Sequence, residues 1–239
     1  AIPRTMDMPT YLLSPDNSDV VIQDIHVGSL KSHQGVERDF MCKAIAKEIT
    51  DLIYIGTFEL VLDDKRTTKI PTKLVMKVKY RADGTIDKPK GRLVAFGFFQ
   101  KLGKDFHATF APMGNFVNVR MLLSLASSKG WAIQHADVPQ AFLKSEMDAN
   151  VHITLPKGID IANKLTGVSL LMHNMVIKLC KSLYGLEQSG QLWNKEINSY
   201  ITNDLGFTRS NCESCLYHKH DEISKKSCII LLEVDDMLV

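Results

Sequence analysis

The stretch Ile229-Ile230-Leu231-Leu232-Glu233-Val234-Asp235-Asp236-Met237-Leu238-Val239 decides how the rest of the chain is read. Cys228 to Leu232 is uncharged and rich in branched side chains, which predicts a buried strand, and Met237 to Val239 begins another. Asp235-Asp236 between them predicts a tight hairpin turn, because Asp tolerates turn geometry. Two carboxylates at the rim of a core repel each other unless a cation neutralises them. Oxygen-only ligands of high charge select a hard ion such as magnesium. Taken alone, Asp-Asp reads as a solvated turn. A third carboxylate at the end of another apolar element changes that reading.

Asp137 is that third carboxylate. Trp131 to Val138 predicts a strand in which Trp131, Ile133 and His135 alternate with Ala132, Gln134 and Ala136, and it delivers Asp137 at its end. Ala141-Phe142-Leu143 follows at once. Upstream, Val117 to Lys129 reads as a helix burying Val119, Leu122, Leu123 and Ala126, started by Asn115 or Asn118 and ended by Gly130. Downstream, a helix over residues 190–203 carries Trp193, Ile197, Tyr200 and Ile201 on one stripe. Leu216-Tyr217 opens a strand that leads into the final one. This order of elements fits an α+β core of the ferredoxin-like, split βαβ kind.

The rest of the chain bounds what surrounds that core. At 239 residues it is long enough for one large domain or two small lobes, and 45% hydrophobic with 23% charged residues is ordinary for a soluble globular protein. No apolar run approaches a membrane span, and Ala1 to Thr10 lacks the apolar centre of a signal peptide. The missing initiator Met suggests a piece of something longer. Five cysteines, an odd number without framework spacing, predict a reduced, intracellular protein.

The net charge of +2 hides an asymmetry. Twelve Lys or Arg lie between Lys65 and Lys104 against only Asp83 and Asp87, so this block carries +10 and the remainder −8. Such a block suggests a phosphate-rich partner, although a solvated Lys-rich hairpin would look the same on charge alone. The block contains two predicted strands around an Asp83-Gly84 turn. In the first, Lys73 to Tyr80, Leu74, Met76, Val78 and Tyr80 oppose Lys73, Lys77 and Lys79. The second, Gly91 to Phe99, sets Arg92, Val94, Phe96 and Phe98 on one face and Leu93, Ala95, Gly97 and Phe99 on the other. Residues 1–35 read as a loosely ordered lead-in. An amphipathic helix over Val36 to Ile53 then repeats Met41, Ile45, Ile49 and Leu52. Short strands are predicted at Thr57 to Leu62, Val151 to Leu155 and Val176 to Leu179, with a loop over 157–174 and a turn over Ser182 to Leu186.

Several stretches together resemble the reverse transcriptase of copia-type long-terminal-repeat retrotransposons, part of their Pol polyprotein. They are Lys90-Gly91-Arg92-Leu93-Val94-Ala95-Phe96-Gly97-Phe98-Phe99-Gln100, Thr109-Phe110-Ala111-Pro112, Gly130-Trp131, Asp137-Val138 with Ala141-Phe142-Leu143, Lys181-Ser182-Leu183-Tyr184-Gly185-Leu186-Glu187-Gln188, and Val234-Asp235-Asp236. The resemblance covers the chain from residue 40 onward, in the family's order.

It implies a right-hand polymerase with a palm over 116–239, fingers over 36–115 and again near 156–190, and no thumb in this chain. Asp137, Asp235 and Asp236 would be the catalytic metal carboxylates, holding two magnesium ions, or manganese in their place. Those ions would lower the pKa of a primer 3′-hydroxyl and steady the leaving pyrophosphate. Lys90 and Arg92 would meet the triphosphate, Phe142 would act as steric gate, and Gln188 would pack by the incoming nucleotide. The implied partners are an RNA or DNA template with primer, deoxynucleoside triphosphates and the remaining Pol domains: integrase, thumb and RNase H. The implied setting is a cytoplasmic particle or the nucleus, with no membrane.

Departures from the family pattern include Glu233 where Tyr is usual, Phe96 where a basic residue is usual, and Pro139-Gln140 after the first Asp. A nucleic-acid-binding remnant without turnover, or a decayed copy of the element, are the alternatives. A zinc module at Cys212 and Cys215 with His218 and His220 is also conceivable from spacing, but a single cysteine pair is a weak signal and a structural role fits better. His107 and His135 show no partner in the sequence, and packing explains them.

Overall fold

A computed structural model describes residues 22–26, 36–64, 67–81, 86–156, 175–223 and 225–239. The chain divides into two compact units, residues 1–100 with 150–186 and residues 101–149 with 187–239. The loop expected over 157–174 and the Asp83-Gly84 turn lie outside the described residues.

The first unit is organised by one helix and two sheets. Helix α1, Val36–Tyr54, buries Met41, Ile45, Ile49 and Leu52, the four positions its helical period predicts. One sheet has the order β1-β4-β5, from strands β1 (Ile22–His26), β4 (Thr72–Tyr80) and β5 (Ile86–Ala95). The other has the order β2-β8-β7-β3, from β2 (Phe58–Leu62), β3 (Lys69–Ile70), β7 (His152–Ile153) and β8 (Met175–Leu179). Only its β3–β7 pair is parallel. Helix α1 packs on β5, where the buried Glu48 Oε1 accepts the Leu93 N–H at 3.0 Å.

Two features of this unit correct the sequence reading. Ile22–His26, placed in a loose lead-in, pairs antiparallel with β4. Five residues are too few for periodicity to register against the surrounding Pro, Ser and Asp. The second hairpin strand begins earlier and ends at Ala95 rather than Phe99. Beyond Ala95 the ladder is replaced by other bonds: Phe96 N–H to the Pro71 carbonyl at 2.9 Å and Gly97 N–H to the Gly185 carbonyl at 3.0 Å. A 3₁₀ turn, Gly97–Phe99, follows. Pro89 is tolerated inside β5 because β5 is an edge strand.

The second unit carries one antiparallel sheet of order β6-β12-β11-β10-β9. Its strands are β6 (His135–Asp137), β9 (Thr208–Arg209), β10 (Leu216–Asp221), β11 (Lys226–Glu233) and β12 (Asp236–Leu238). Helix α2 is Phe116–Lys129. The Asn115 side chain caps it by accepting the Val117 N–H, and Gly130 ends it in the left-handed conformation at φ 64°. Helix α3, Ser189–Ser199, runs on as a π-helical turn, Tyr200–Asp204. The core joins Trp193, Ile197 and Ile201 to Cys215, Tyr217, Ile230, Leu231 and Leu232. Trp131 and Ile133 are exposed and outside β6, and Leu123 and Tyr200 are exposed on their helices. Helical period put Leu123 and Tyr200 on the apolar stripes of their helices, and the strand expected from Trp131 is shortened to His135–Asp137.

Candidate active site

The hairpin between β11 and β12 sets the geometry. Its two turn residues are Val234 and Asp235, one position earlier than Asp235-Asp236. Val234 has φ 57°, whereas Asp235 is not among the positive-φ residues, so the turn is of the II′ kind. Gly usually occupies that first position, and a β-branched residue there is strained. Trp193 of α3 anchors the turn: its indole N–H donates to the Val234 carbonyl at 2.5 Å.

The shift of one residue places Asp236 inside β12, directly opposite Asp137 of β6. Val138 N–H donates to the Asp235 carbonyl at 2.9 Å. Three acidic residues separated by nearly a hundred positions therefore meet along one pair of strands. All three are exposed at this end of the sheet. Residues directly opposite in an antiparallel pair point to the same face, so Asp137 and Asp236 share one. Their diagonal neighbour His135 brings Nε2 to 2.9 Å from Asp236 Oδ1. His135, for which the sequence offers no evident partner and packing was the expected explanation, thus meets one of the acids. A contact 101 residues apart depends on register, which local sequence does not display.

Oxygen-only carboxylate donors are the chemistry that suits Mg²⁺. Among the described residues no three His, Cys, Asp or Glu side chains already converge as a cation cage, and Asp236 is turned to His135. What the fold supplies is the backbone juxtaposition of the donors.

The other predicted residues divide between the two units. Phe142 lies on the 3₁₀ turn Ala141–Lys144, half-buried against the core. Gln140 begins that turn at φ 56°. Gln188 is fully buried at the start of α3, and its amide donates to the Asp105 carbonyl at 2.8 Å. In the first unit, Lys90 and Arg92 are exposed on β5. The Arg92 guanidinium lies 5.3 Å from the centre of the Tyr184 ring. Cys215 is enclosed in the core, where burial pushes its thiol pKa up, while Cys212 is exposed. His218 and His220 are exposed on β10.

Two contributors escaped the sequence reading. Trp193 was placed in the core by its period, but its hydrogen bond to the turn was not foreseen. Val234 carries the turn that Asp-Asp was expected to carry.

The second unit is mixed α/β, with an antiparallel sheet that presents acids at its hairpin end, an arrangement consistent with the palm-type fold that membership of a reverse transcriptase family implies. A family model described as "Reverse transcriptase (RNA-dependent DNA polymerase)" matches residues 55–239, and the chain belongs to this family, in the branch found in copia-type retrotransposon Pol polyproteins. It is 33% identical over 203 residues to the retrovirus-related Pol polyprotein from transposon TNT 1-94 of Nicotiana tabacum, covering 85% of this chain and 14% of that one. It is 30% identical over 197 residues to the corresponding polyprotein of transposon RE1 of Arabidopsis thaliana, covering 82% and 13%. A truncated transposon Ty1-A Gag-Pol polyprotein of Saccharomyces cerevisiae is 27% identical over 208 residues, covering 85% and 16%. The chain thus spans a small part of each of these relatives. None of its described helices is long and apolar enough to cross a membrane.

Proposed function

We propose that this chain carries the polymerising centre of an RNA-directed DNA polymerase, extending a primer 3′-hydroxyl with deoxynucleotides on an RNA or DNA template. The observation that carries this reading is the β6–β12 register, which sets Asp137 opposite Asp236 with Asp235 at the adjoining turn. On this reading Asp137 and Asp235 hold the cations and Asp236 supports them. Two Mg²⁺ ions, when bound, would supply charge neutralisation and a more acidic primer hydroxyl. Phe142 would stand beside the sugar, and Gln188 would brace the start of α3 against the Asp105 carbonyl on the nucleotide side. The first unit would be the fingers, with Lys90 and Arg92 meeting triphosphate oxygens through charge-assisted bonds. The remaining Pol domains would act with it, in a cytoplasmic particle or the nucleus.

The test is primer extension with Mg²⁺ by the 239-residue chain and by its Asp235→Asn and Asp137→Asn variants. Each variant should lose at least about a hundredfold in rate, the scale of removing a group that acts on developing charge. Equal extension by the wild type and Asp235→Asn would reject catalysis at this site. A second reading, a primer–template binder without turnover, draws support from the engagement of Asp236 with His135. It predicts salt-dependent binding with no extension by any of the three proteins.

A further inference from the structure

Asp236 is the middle member of a row of acids. It lies opposite Asp137 of β6 on one side and opposite Glu233 of β11 on the other. Residues directly opposite in antiparallel strands share a face, so three carboxylate side chains stand at one register position on one face of the sheet. All three are exposed. Among the described residues, none of them forms an ion pair with Lys or Arg. Like charges in such register repel, and the middle one faces two of them.

His135 answers that crowding. Side chains two apart on a strand point to the same side, which puts His135 on the face of Asp137 and diagonal to Asp236. Its Nε2 lies 2.9 Å from Asp236 Oδ1. An ionised carboxylate only accepts, so Nε2 carries the hydrogen and donates. The direction of this bond matters. His135 stands directly opposite Leu238, two residues further along β12 than Asp236. A bond to it draws the Asp236 carboxylate along the strand, out of the line between Glu233 and Asp137.

We infer that His135 is a positioning residue: by holding Asp236 diagonally, it opens the Glu233–Asp236–Asp137 row and makes Asp236 a supporting carboxylate rather than a direct cation ligand. The consequence for catalysis rests on the polymerase reading, whereas the easing of the row does not. Without a cation, the His135 bond relieves part of the repulsion that a cation would otherwise relieve, so the two substitute for each other. Glu233 sets how much relief is needed, because it supplies one of the two like-charged neighbours of Asp236.

The test is calorimetric melting of the 239-residue chain in EDTA and in saturating Mg²⁺, with primer extension as a second readout. His135→Phe keeps a flat ring and removes the donor. In EDTA it should melt about 1–3 °C below the wild type, and Mg²⁺ should narrow that gap. His135→Gln returns an N–H donor and should melt with the wild type in EDTA. When both proteins also carry Glu233→Gln, the gap due to His135→Phe should shrink to about half, since Asp236 then has one charged neighbour instead of two. In extension, His135→Phe should lower kcat about tenfold with the deoxynucleotide KM unchanged, and His135→Gln should recover most of the loss. A wild type that extends no primer would sink the polymerase reading alone, and the melting comparison would still decide what His135 does in the row. A melting defect that neither Mg²⁺ nor Glu233→Gln changes would make His135 an ordinary strand contact and overturn the proposal. Faster extension by His135→Phe would overturn it as well, because the bond would then be withholding Asp236 from the cations.

Discussion

Asp137 lies directly opposite Asp236 across the β6–β12 pair, two like charges at one register position. Such opposition weakens a sheet by roughly 0.2–1 kcal/mol, and a cation between the carboxylates reverses the sign. In EDTA, Asp137→Asn should therefore melt at or slightly above the wild-type temperature. Adding Mg²⁺ should raise the melting point of the wild type but not of Asp137→Asn. At ten times its Kd, a single bound ion contributes about 1.4 kcal/mol to the wild type. Identical Mg²⁺ responses from the two proteins, measured by calorimetry, would count against a cation at this strand pair.

Gly185 has φ 87°, and its carbonyl accepts the Gly97 N–H. A Cβ there would collide with the Ala95 carbonyl and the Val94 side chain. Gly185→Ala should destabilise the first unit by roughly 2–5 kcal/mol, combining backbone strain with overpacking. Urea denaturation would check it. A wild-type midpoint would mean that the Tyr184-Gly185 turn is not held against the end of β5 as described.

Glu48 is buried beneath β5, and burial raises its pKa despite the Leu93 N–H and nearby Arg92, which pull the other way. A raised folded pKa means that the folded state holds the proton more tightly than the unfolded state. The associated stability is present below the unfolded value and is lost as pH rises through the folded value. Glu48→Gln keeps an oxygen for the Leu93 N–H and carries no charge. It should be more stable than wild type at pH 7, with the gap closing toward pH 4. Glu48→Leu orphans the Leu93 N–H and should lose about 1–3 kcal/mol. Denaturation midpoints of the three proteins across this range decide the sign.

Much of the core was legible because burial follows period. Met41, Ile45, Ile49 and Leu52 form one stripe of α1, and each is buried. The strands carrying Asp137 and the terminal acidic pair were legible as apolar runs, and both enter one sheet. What was hidden depends on register. The His135–Asp236 contact, the placement of Asp236 in a strand and the Lys77–Lys90 opposition arise only once two strands are aligned. The turn was misplaced by one residue because Val234 is a poor residue for positive φ, and propensity alone would never choose it. Trp193 shows the same limit, since its spacing reveals that it is buried but not which carbonyl its N–H meets.

That last contact makes the sharpest separation between packing and function. Trp193 is buried, and its N–H holds the carbonyl of the strained Val234, next to Asp235. Trp193→Phe keeps most of the ring but removes the donor, which should cost about 1–3 kcal/mol of stability through the unpaired carbonyl. If the bond also positions the carboxylates, primer extension should fall further than stability explains. Ile197→Val, in the same core and costing about 0.5–1.5 kcal/mol, is the control. The comparison is made well below both melting points, with saturating primer–template. Trp193→Phe should then show a clearly lower extension rate, while Ile197→Val stays near wild type. Equal rates for the two variants would reduce Trp193 to a core residue and leave the turn held by the β11–β12 ladder alone.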